Sequence, residues 1–204
     1  MTNFHNASFL AAYGTVDQLP ASTLSEISFA GRSNVGKSSI LNKLMYCKDL
    51  AKVSQTPGKT ATINFYGIDT AAKQGACHFV DLPGYGFAKV AKSEKGRWSE
   101  LIEGYFNQQR RFALVCSLID IRHEASDLDE VMVSFLQEAG LPYCVVLTKA
   151  DKLSRQQQMK QRSALIKQLG IGADVPVLIT SSESGLGVDD LRSLIIQSMQ
   201  TARA

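Results

Sequence analysis

The 204-residue chain lacks most features that would place it outside the ordinary globular class. No apolar run approaches the ~20 residues needed to span a bilayer, so no membrane helix is expected. Residues 1–10 have neither a basic start nor a long apolar stretch, so no secretory leader is expected. The four cysteines, Cys47, Cys77, Cys116 and Cys144, are widely spaced, and no C-x-x-C occurs. Three of them sit in apolar, strand-like runs, the pattern of buried reduced thiols in a cytoplasmic protein. The three histidines, His5, His78 and His123, show no metal-ligand spacing. Repeats and low-complexity tracts are absent. The net charge of +3 is too small to signal nucleic-acid binding alone. What is present is a chain with 45% hydrophobic residues, long enough for one domain with a sizeable core.

Within it lies Gly31-Arg32-Ser33-Asn34-Val35-Gly36-Lys37-Ser38, a complete G-x-x-x-x-G-K-S. Ile27–Ala30 before it reads as a strand, and Ser39–Met45 after it as an amphipathic helix, the context that gives the motif meaning. Gly31 and Gly36 permit backbone conformations closed to other residues. The loop N–H groups then point at phosphate oxygens, helped by the helix dipole. Lys37 is placed to reach the β- and γ-phosphates, and the Ser38 hydroxyl to ligate Mg²⁺. The plainer reading is a Gly-rich turn with an incidental lysine.

Further along, strand patterns at 61–68, 77–80, 112–119, 143–147 and 176–179 alternate with helical patterns at 97–110, 128–138, 155–169 and 188–199. With the strand before the phosphate loop, this predicts an α/β P-loop NTPase: a six-stranded, mainly parallel sheet with helices on both faces. Residues 1–24 are expected to be an extension packed on a domain covering 25–204.

A phosphate loop alone does not separate GTPases from ATPases or kinases; three further strings do. Asp81-Leu82-Pro83-Gly84 closes a hydrophobic strand. Asp81 there can hold Mg²⁺ directly or through water, and Gly84 can offer its N–H to a γ-phosphate. Such a string can also be a simple strand-ending turn. Thr148-Lys149-Ala150-Asp151 follows the 143–147 strand. A carboxylate at Asp151 accepts from the N1–H and exocyclic amine of guanine, a donor pattern adenine lacks. The Lys149 stem can lie across the base. Thr180-Ser181-Ser182 could present backbone to the guanine O6, although strand-end serines are usually helix caps. A threonine in the Thr56–Thr60 turn can ligate Mg²⁺ while a γ-phosphate is present; Thr60 is preferred over Thr56 because it directly precedes the strand.

Taken together, GRSNVGKSS, TPGKTATINFYG, DLPGYGFAKV, TKAD and SSE, with Asp120-Ile121-Arg122-His123 and Trp98, resemble the EngB (YsxC/YihA) family of bacterial GTPases. The resemblance runs from about Ser25 to the C-terminus. It implies a Ras-like GTPase domain of the Era type that binds GTP/GDP and Mg²⁺. It also implies a role in assembly of the large ribosomal subunit, and through it in normal growth and division. The phosphate loop maps onto Gly31–Ser38, and the Mg²⁺ ligands onto Ser38 and Thr60. Nucleotide contacts fall on Gly58, Lys59, Thr60, Ala61 and Thr62, on Asp81–Gly84, on Thr148–Asp151 and on Thr180–Ser182. Lys37, Thr60 and Gly84 are expected at the reacting phosphate. Expected partners are rRNA and proteins of the large subunit, with the chain itself monomeric, cytoplasmic and not bound to membrane.

Two departures from the general GTPase pattern stand out. Thr148 replaces an asparagine, which removes one amide and predicts moderate nucleotide affinity. Tyr85 follows D-x-x-G where Ras-type enzymes carry a water-orienting glutamine. A tyrosine there is expected to retract from the site, leaving slow intrinsic hydrolysis. In other Era-type GTPases without that glutamine, an asparagine in the loop helps to hold K⁺. This makes Asn34 a candidate K⁺ ligand; the alternative is that its side chain only braces the loop. Lys89, Lys92, Lys95 and Arg97, with Phe87, Trp98 and Arg110-Arg111, could form an RNA-contacting face or an ordinary solvated loop. Two competing functions are a P-loop kinase, for which an Arg-rich lid is missing, and a nucleotide-dependent scaffold with negligible catalysis.

Overall fold

The computed structural model describes residues 4–51, 62–69, 77–86 and 92–202, with side chains described throughout except those of 92–95, 97 and 98. The β-strands are β1 (Asn6–Tyr13), β2 (Ser25–Gly31), β3 (Ile63–Asp69), β4 (Cys77–Asp81), β5 (Phe112–Asp120), β6 (Tyr143–Thr148) and β7 (Val177–Ile179). The helices are α1 (Lys37–Leu44), α2 (Lys92–Asn107), α3 (Asp127–Glu138), α4 (Arg155–Gln168) and α5 (Val188–Thr201). One sheet runs in the order β1-β3-β4-β2-β5-β6-β7. The five strands β4, β2, β5, β6 and β7 are mutually parallel, while β3 is antiparallel to both β4 and β1.

The sheet therefore has seven strands among the described residues, one more than the six read from the pattern. The extra strand is β1, which pairs with β3 from Asn6↔Asp69 to Tyr13↔Ile63 around a bulge at Leu10. Its sequence, NASFLAAY, shows no clean alternation, so only the available edge of β3 makes it a strand. Helix α2 spans 92–107 rather than 97–110, because its first turn is too polar to show an apolar periodicity.

Residues of β2 are buried along its whole length, as expected for a central parallel strand covered on both faces. Ile27, Phe29, Cys116, Leu118 and Val146 pack on one face against α1 and α5 through Ile40, Leu41, Leu191 and Ile195. Val80, Val115 and Phe65 pack on the other against Leu101, Tyr105, Met132 and Leu136 of α2 and α3. Val145, Leu147, Val133 and Leu165 fill the end beneath α3 and α4. Cys77, Cys116 and Cys144 are buried free thiols, and Cys47 is a half-buried one.

One end of the sheet holds an ion network. Glu26 is fully buried at the start of β2 and accepts from Arg110 Nε and Nη2, each at 2.8 Å. Tyr105 Oη donates to the same carboxylate at 2.8 Å. Burial lowers and the Glu26 hydrogen bonds raise the Arg110 pKa; the net shift is upward. Arg110 is thus a core residue and not part of a solvent-facing basic patch, which corrects the expectation from sequence. The cause is the buried carboxylate: a lone charge there is far costlier than a paired one. Arg110→Ala is expected to lower the unfolding free energy by about 3–5 kcal/mol in urea titrations, because Glu26 is left buried and unpaired. The paired replacement Glu26→Gln/Arg110→Met should recover much of that loss. A single-mutant loss below about 1 kcal/mol, the scale of an exposed pair, would rule out this role.

Candidate nucleotide site

Because β2, β4, β5, β6 and β7 are parallel, their C-terminal ends meet at one edge of the sheet. Ligands of such sheets bind in the crevice outside those ends. The loop Gly31–Gly36 leaves β2 there and enters α1 at Lys37. Asn34 and Gly36 adopt left-handed backbone, at φ 64° and 100°. Asparagine tolerates this conformation, and glycine adopts it without a steric penalty.

Three neighbours hold the loop. Thr148 Oγ1 lies 2.7 Å from the Val35 carbonyl and 3.2 Å from that of Ile119. Lys149 Nζ donates to the Asn34 carbonyl at 2.7 Å and to Asp120 Oδ2 at 2.9 Å. The Ser33 N–H donates to the Tyr85 carbonyl at 2.8 Å, and the Tyr85 N–H to the Gly31 carbonyl at 3.3 Å. The hydroxyl of Thr148, which stands where the general GTPase pattern has an asparagine, thus braces the loop. Asn34 is exposed, and no hydrogen bond from its side chain braces the loop among the described residues.

Lys37 Nζ donates to Asp81 Oδ1, a pairing that neutralises both charges. Phosphate would give the ammonium a second partner and release Asp81 toward a metal shell. Ser38, next in α1, adds a hydroxyl. Two hard oxygen donors and no dedicated cage suit Mg²⁺, which keeps most of its waters and takes phosphate oxygens. Among the described residues no group of three or more His, Cys, Asp or Glu could hold a metal. Gly84 packs against the phosphate loop: a Cβ would lie 3.1 Å from Ser33 N, so a side chain would push the two segments apart.

Tyr85 is withdrawn from the phosphate side, as expected. Its ring is buried, and its hydroxyl donates to Asp129 Oδ1 at 2.9 Å. Burial and the facing Asp129 carboxylate raise its pKa well above the ordinary phenol value, so it remains a donor. The other Asp129 oxygen accepts from Ser126 N and Oγ in the capping box of α3. Arg32 is exposed and lies against Gly86.

At the β6–β7 end, Ala150 N–H donates to the Thr180 carbonyl at 3.1 Å, bringing Thr148–Asp151 and Thr180–Ser182 together. Ser181 Oγ donates to Asp151 Oδ1 at 2.6 Å, and Lys152 pairs with Oδ2 at 2.9 Å. Those two hydrogen bonds, Ser181's first, lower the Asp151 pKa, so the carboxylate is an acceptor near neutrality. The Ser181 N–H is committed to the Leu186 carbonyl. Thr180 is buried, with its hydroxyl on the Leu147 carbonyl, and shapes the loop from behind.

Two residues of the site escaped sequence reasoning as individuals. Asp120 orients Lys149 and also accepts from Arg122 Nε at 2.9 Å and Nη2 at 2.8 Å. Burial raises its pKa, but the Arg122 and Lys149 hydrogen bonds outweigh that and hold it well below the usual carboxylate range. Its position at the C-terminal end of a parallel strand was the available signal. Asp129 was readable only as part of Ser126-x-x-Asp129. Between the phosphate loop, Asp120–Glu124, Asp129 and Lys149 lies an open cleft of about 250 Å³. Thr56, Gly58, Lys59, Thr60, Ala61, Phe87 and Lys89 lie outside the described residues, as do the side chains of Lys92, Lys95, Arg97 and Trp98; Thr62 is half-buried beside β3.

A family model described as 50S ribosome-binding GTPase matches residues 26–149. The probable GTP-binding protein EngB of Shouchella clausii (strain KSM-K16) is 42% identical over 90% of this chain and 91% of its own. Its counterpart from Syntrophomonas wolfei is 44% identical over 91% and 92%. The chain belongs to the EngB family of GTP-binding proteins. A solved probable GTP-binding protein EngB superposes with a TM-score of 0.70 at 22% identity, covering 87% of this chain and all of that one. A point variant of Era from Aquifex aeolicus, bound to GDP·AlF₄⁻, gives 0.68 at 21% identity, covering 85% of this chain and 56% of that one. The EngB fold is therefore that of P-loop GTPases.

For an EngB GTPase, base choice should rest on Asp151. Asp151→Asn is expected to weaken GTP binding by about 2–4 kcal/mol, the scale of a lost charge-assisted pair with a stranded partner. XTP binding should appear, since the new amide complements xanthine. Titration of fluorescent GTP and XTP analogues measures both. Unchanged GTP affinity would refute the assignment.

Proposed function

We propose that this chain is a slow, Mg²⁺-dependent GTPase switch in the cytoplasm that acts in assembly of the large ribosomal subunit, and so in growth and division. In this reading the Gly31–Ser38 amides and Lys37 hold the phosphates. Ser38 and Thr60 ligate Mg²⁺, with Asp81 behind its waters, and the Gly84 N–H meets the γ-phosphate. The segments around Thr60 and after Gly84 change their contacts when that phosphate leaves, and the change is read by a precursor subunit through its rRNA and proteins. The chain works as a monomer. Slow turnover follows from one observation: Tyr85, where a water-orienting glutamine would stand, is fixed to Asp129 and cannot hold the attacking water.

The same observation favours a second reading, a nucleotide-dependent scaffold with negligible catalysis. Co-sedimentation with purified large subunits, under GDP and under a non-hydrolysable GTP analogue, tests the switch. The analogue-bound form is expected to associate more strongly, and equal association of both forms would refute it. Single-turnover GTP hydrolysis with and without subunits separates the two readings, since only the switch is accelerated.

Potassium is the candidate source of the missing catalytic charge, with the exposed Asn34 amide oxygen as one ligand. A cation there would offset charge developing between β- and γ-phosphates. GTP turnover with subunits present should be faster in KCl than in matched NaCl, and Asn34→Ala should abolish the difference. Equal rates in the two salts would remove the ion; stimulation that persists in Asn34→Ala would remove this ligand.

A further inference from the structure

Helix α4 is unlike the other helices packed on the sheet. It reads RQQQMKQRSALIKQ, with four basic residues and no acidic one. No acid occurs between Asp151 and Asp174. Helix α3 beside it is the opposite, with Asp127, Asp129, Glu130 and Glu138 and no base. A helix polar nearly all round is normally stabilised by i,i+4 ion pairs. Helix α4 has none. It is held instead by the Ser154–Gln157 capping box, by Gln158 Nε2 on the Ala150 and Leu153 carbonyls at 2.8 and 3.0 Å, and by buried Leu165. Its outward side is therefore free of any structural duty.

That side carries Lys160 and Lys167, both exposed and without an ion pair among the described residues. Gln156, Lys160, Ser163 and Lys167 recur at i, i+4, i+7 and i+11, so they share one stripe. At 1.5 Å per residue, the two lysines stand roughly 10 Å apart along the helix axis. Two acids beside α4 are already engaged: Asp151 pairs with Lys152, and Glu130 accepts from Gln168 Nε2 at 2.8 Å. Apart from Met159, the exposed surface of α4 offers no large apolar side chain with which to enter a bilayer. Lysine and arginine separated by glutamine and serine supply charge for phosphate and uncharged donors for phosphate and sugar oxygens.

We propose that the outward side of α4 docks the phosphodiester backbone of structured RNA. This rests on the ribosomal reading above for its biological setting, but the surface is tested without it. Helix α4 hangs from the guanine-side loop and the β6–β7 edge of the sheet, whereas the segments that sense the γ-phosphate adjoin β3 and β4. The contact therefore adds affinity in every nucleotide state.

The full chain, GDP- or GTP-analogue-bound, is titrated by anisotropy against a fluorescein-labelled RNA duplex of arbitrary sequence over a salt series, and against purified large subunits. Lys160→Glu/Lys167→Glu is expected to weaken duplex binding roughly tenfold and to reduce the slope of log K against log[salt] by about two, at ~0.9 for each phosphate no longer neutralised. The loss should be equal with GDP and with the GTP analogue. Lys160→Gln/Lys167→Gln should fall between that variant and the native chain, which keeps the test valid if charge reversal perturbs folding. An unchanged salt slope overturns the proposal, as does a loss confined to one nucleotide state. So does loss of binding to anionic vesicles or acidic peptides with RNA binding intact. If subunits bind the native chain and the double variant equally, the α4 surface falls and the ribosomal reading survives. If the native chain binds the duplex through α4 but binds no subunits, the reverse holds.

Discussion

Carbonyl groups of the phosphate loop are restrained from outside the loop, and the geometry of the whole site depends on that restraint. Val35 is held by a hydroxyl at the end of β6, Asn34 by the lysine beside it, and Gly31 by the Tyr85 amide beyond β4. A loop that turns its N–H groups inward must turn several carbonyls outward, and a buried carbonyl without a partner costs roughly 1–3 kcal/mol. Partners from two other strand ends meet this need and join the phosphate, guanine and γ-phosphate segments into one unit. Strand order makes this possible, since β2 lies between β4 and β5, with β6 next in the sheet.

Charge is arranged around the same unit in two ion pairs and one triad. Lys37 faces Asp81, Lys149 and Arg122 share Asp120, and Lys152 faces Asp151. Lys37, Lys149 and Lys152 are each oriented beforehand by a carboxylate, which limits the rearrangement that binding requires. Tyr85 follows the same logic with a neutral group. Its hydroxyl enters the capping box of α3, so the residue after D-x-x-G is tied to a helix terminus rather than aimed at the phosphates.

Polarity is distributed unevenly over the rest of the fold. The start of β2 carries the buried Glu26–Arg110–Tyr105 network, a rigid anchor at the other end of the strand from the phosphate loop. Helices α3 and α4 carry acid and base on separate elements rather than in intrahelical pairs. On α4 this leaves cations exposed, while on α3 the acids cap the helix and hold Tyr85.

Sequence alone determined what depends on local backbone chemistry. Gly36 marks a left-handed position, the apolar runs mark parallel strands, and Asp81 closes a strand while Asp151 follows one, at ends that share one edge of the sheet. The GTPase fold was legible for that reason, as was the edge of the sheet where the phosphate loop and Thr148–Asp151 come together. Tertiary structure decided what depends on partners distant in the chain. Strand β1 needs the edge of β3, more than fifty residues away, because its own pattern has no period. Arg110 reads as one of a basic pair, until Glu26 draws it into the core. Thr148 reads as a lost amide, until Val35 accepts its hydroxyl. Tyr85 reads as an aromatic without a place, until Asp129 supplies one. Each of these is a meeting of groups distant in the chain, and a pattern along the chain carries no record of which will meet.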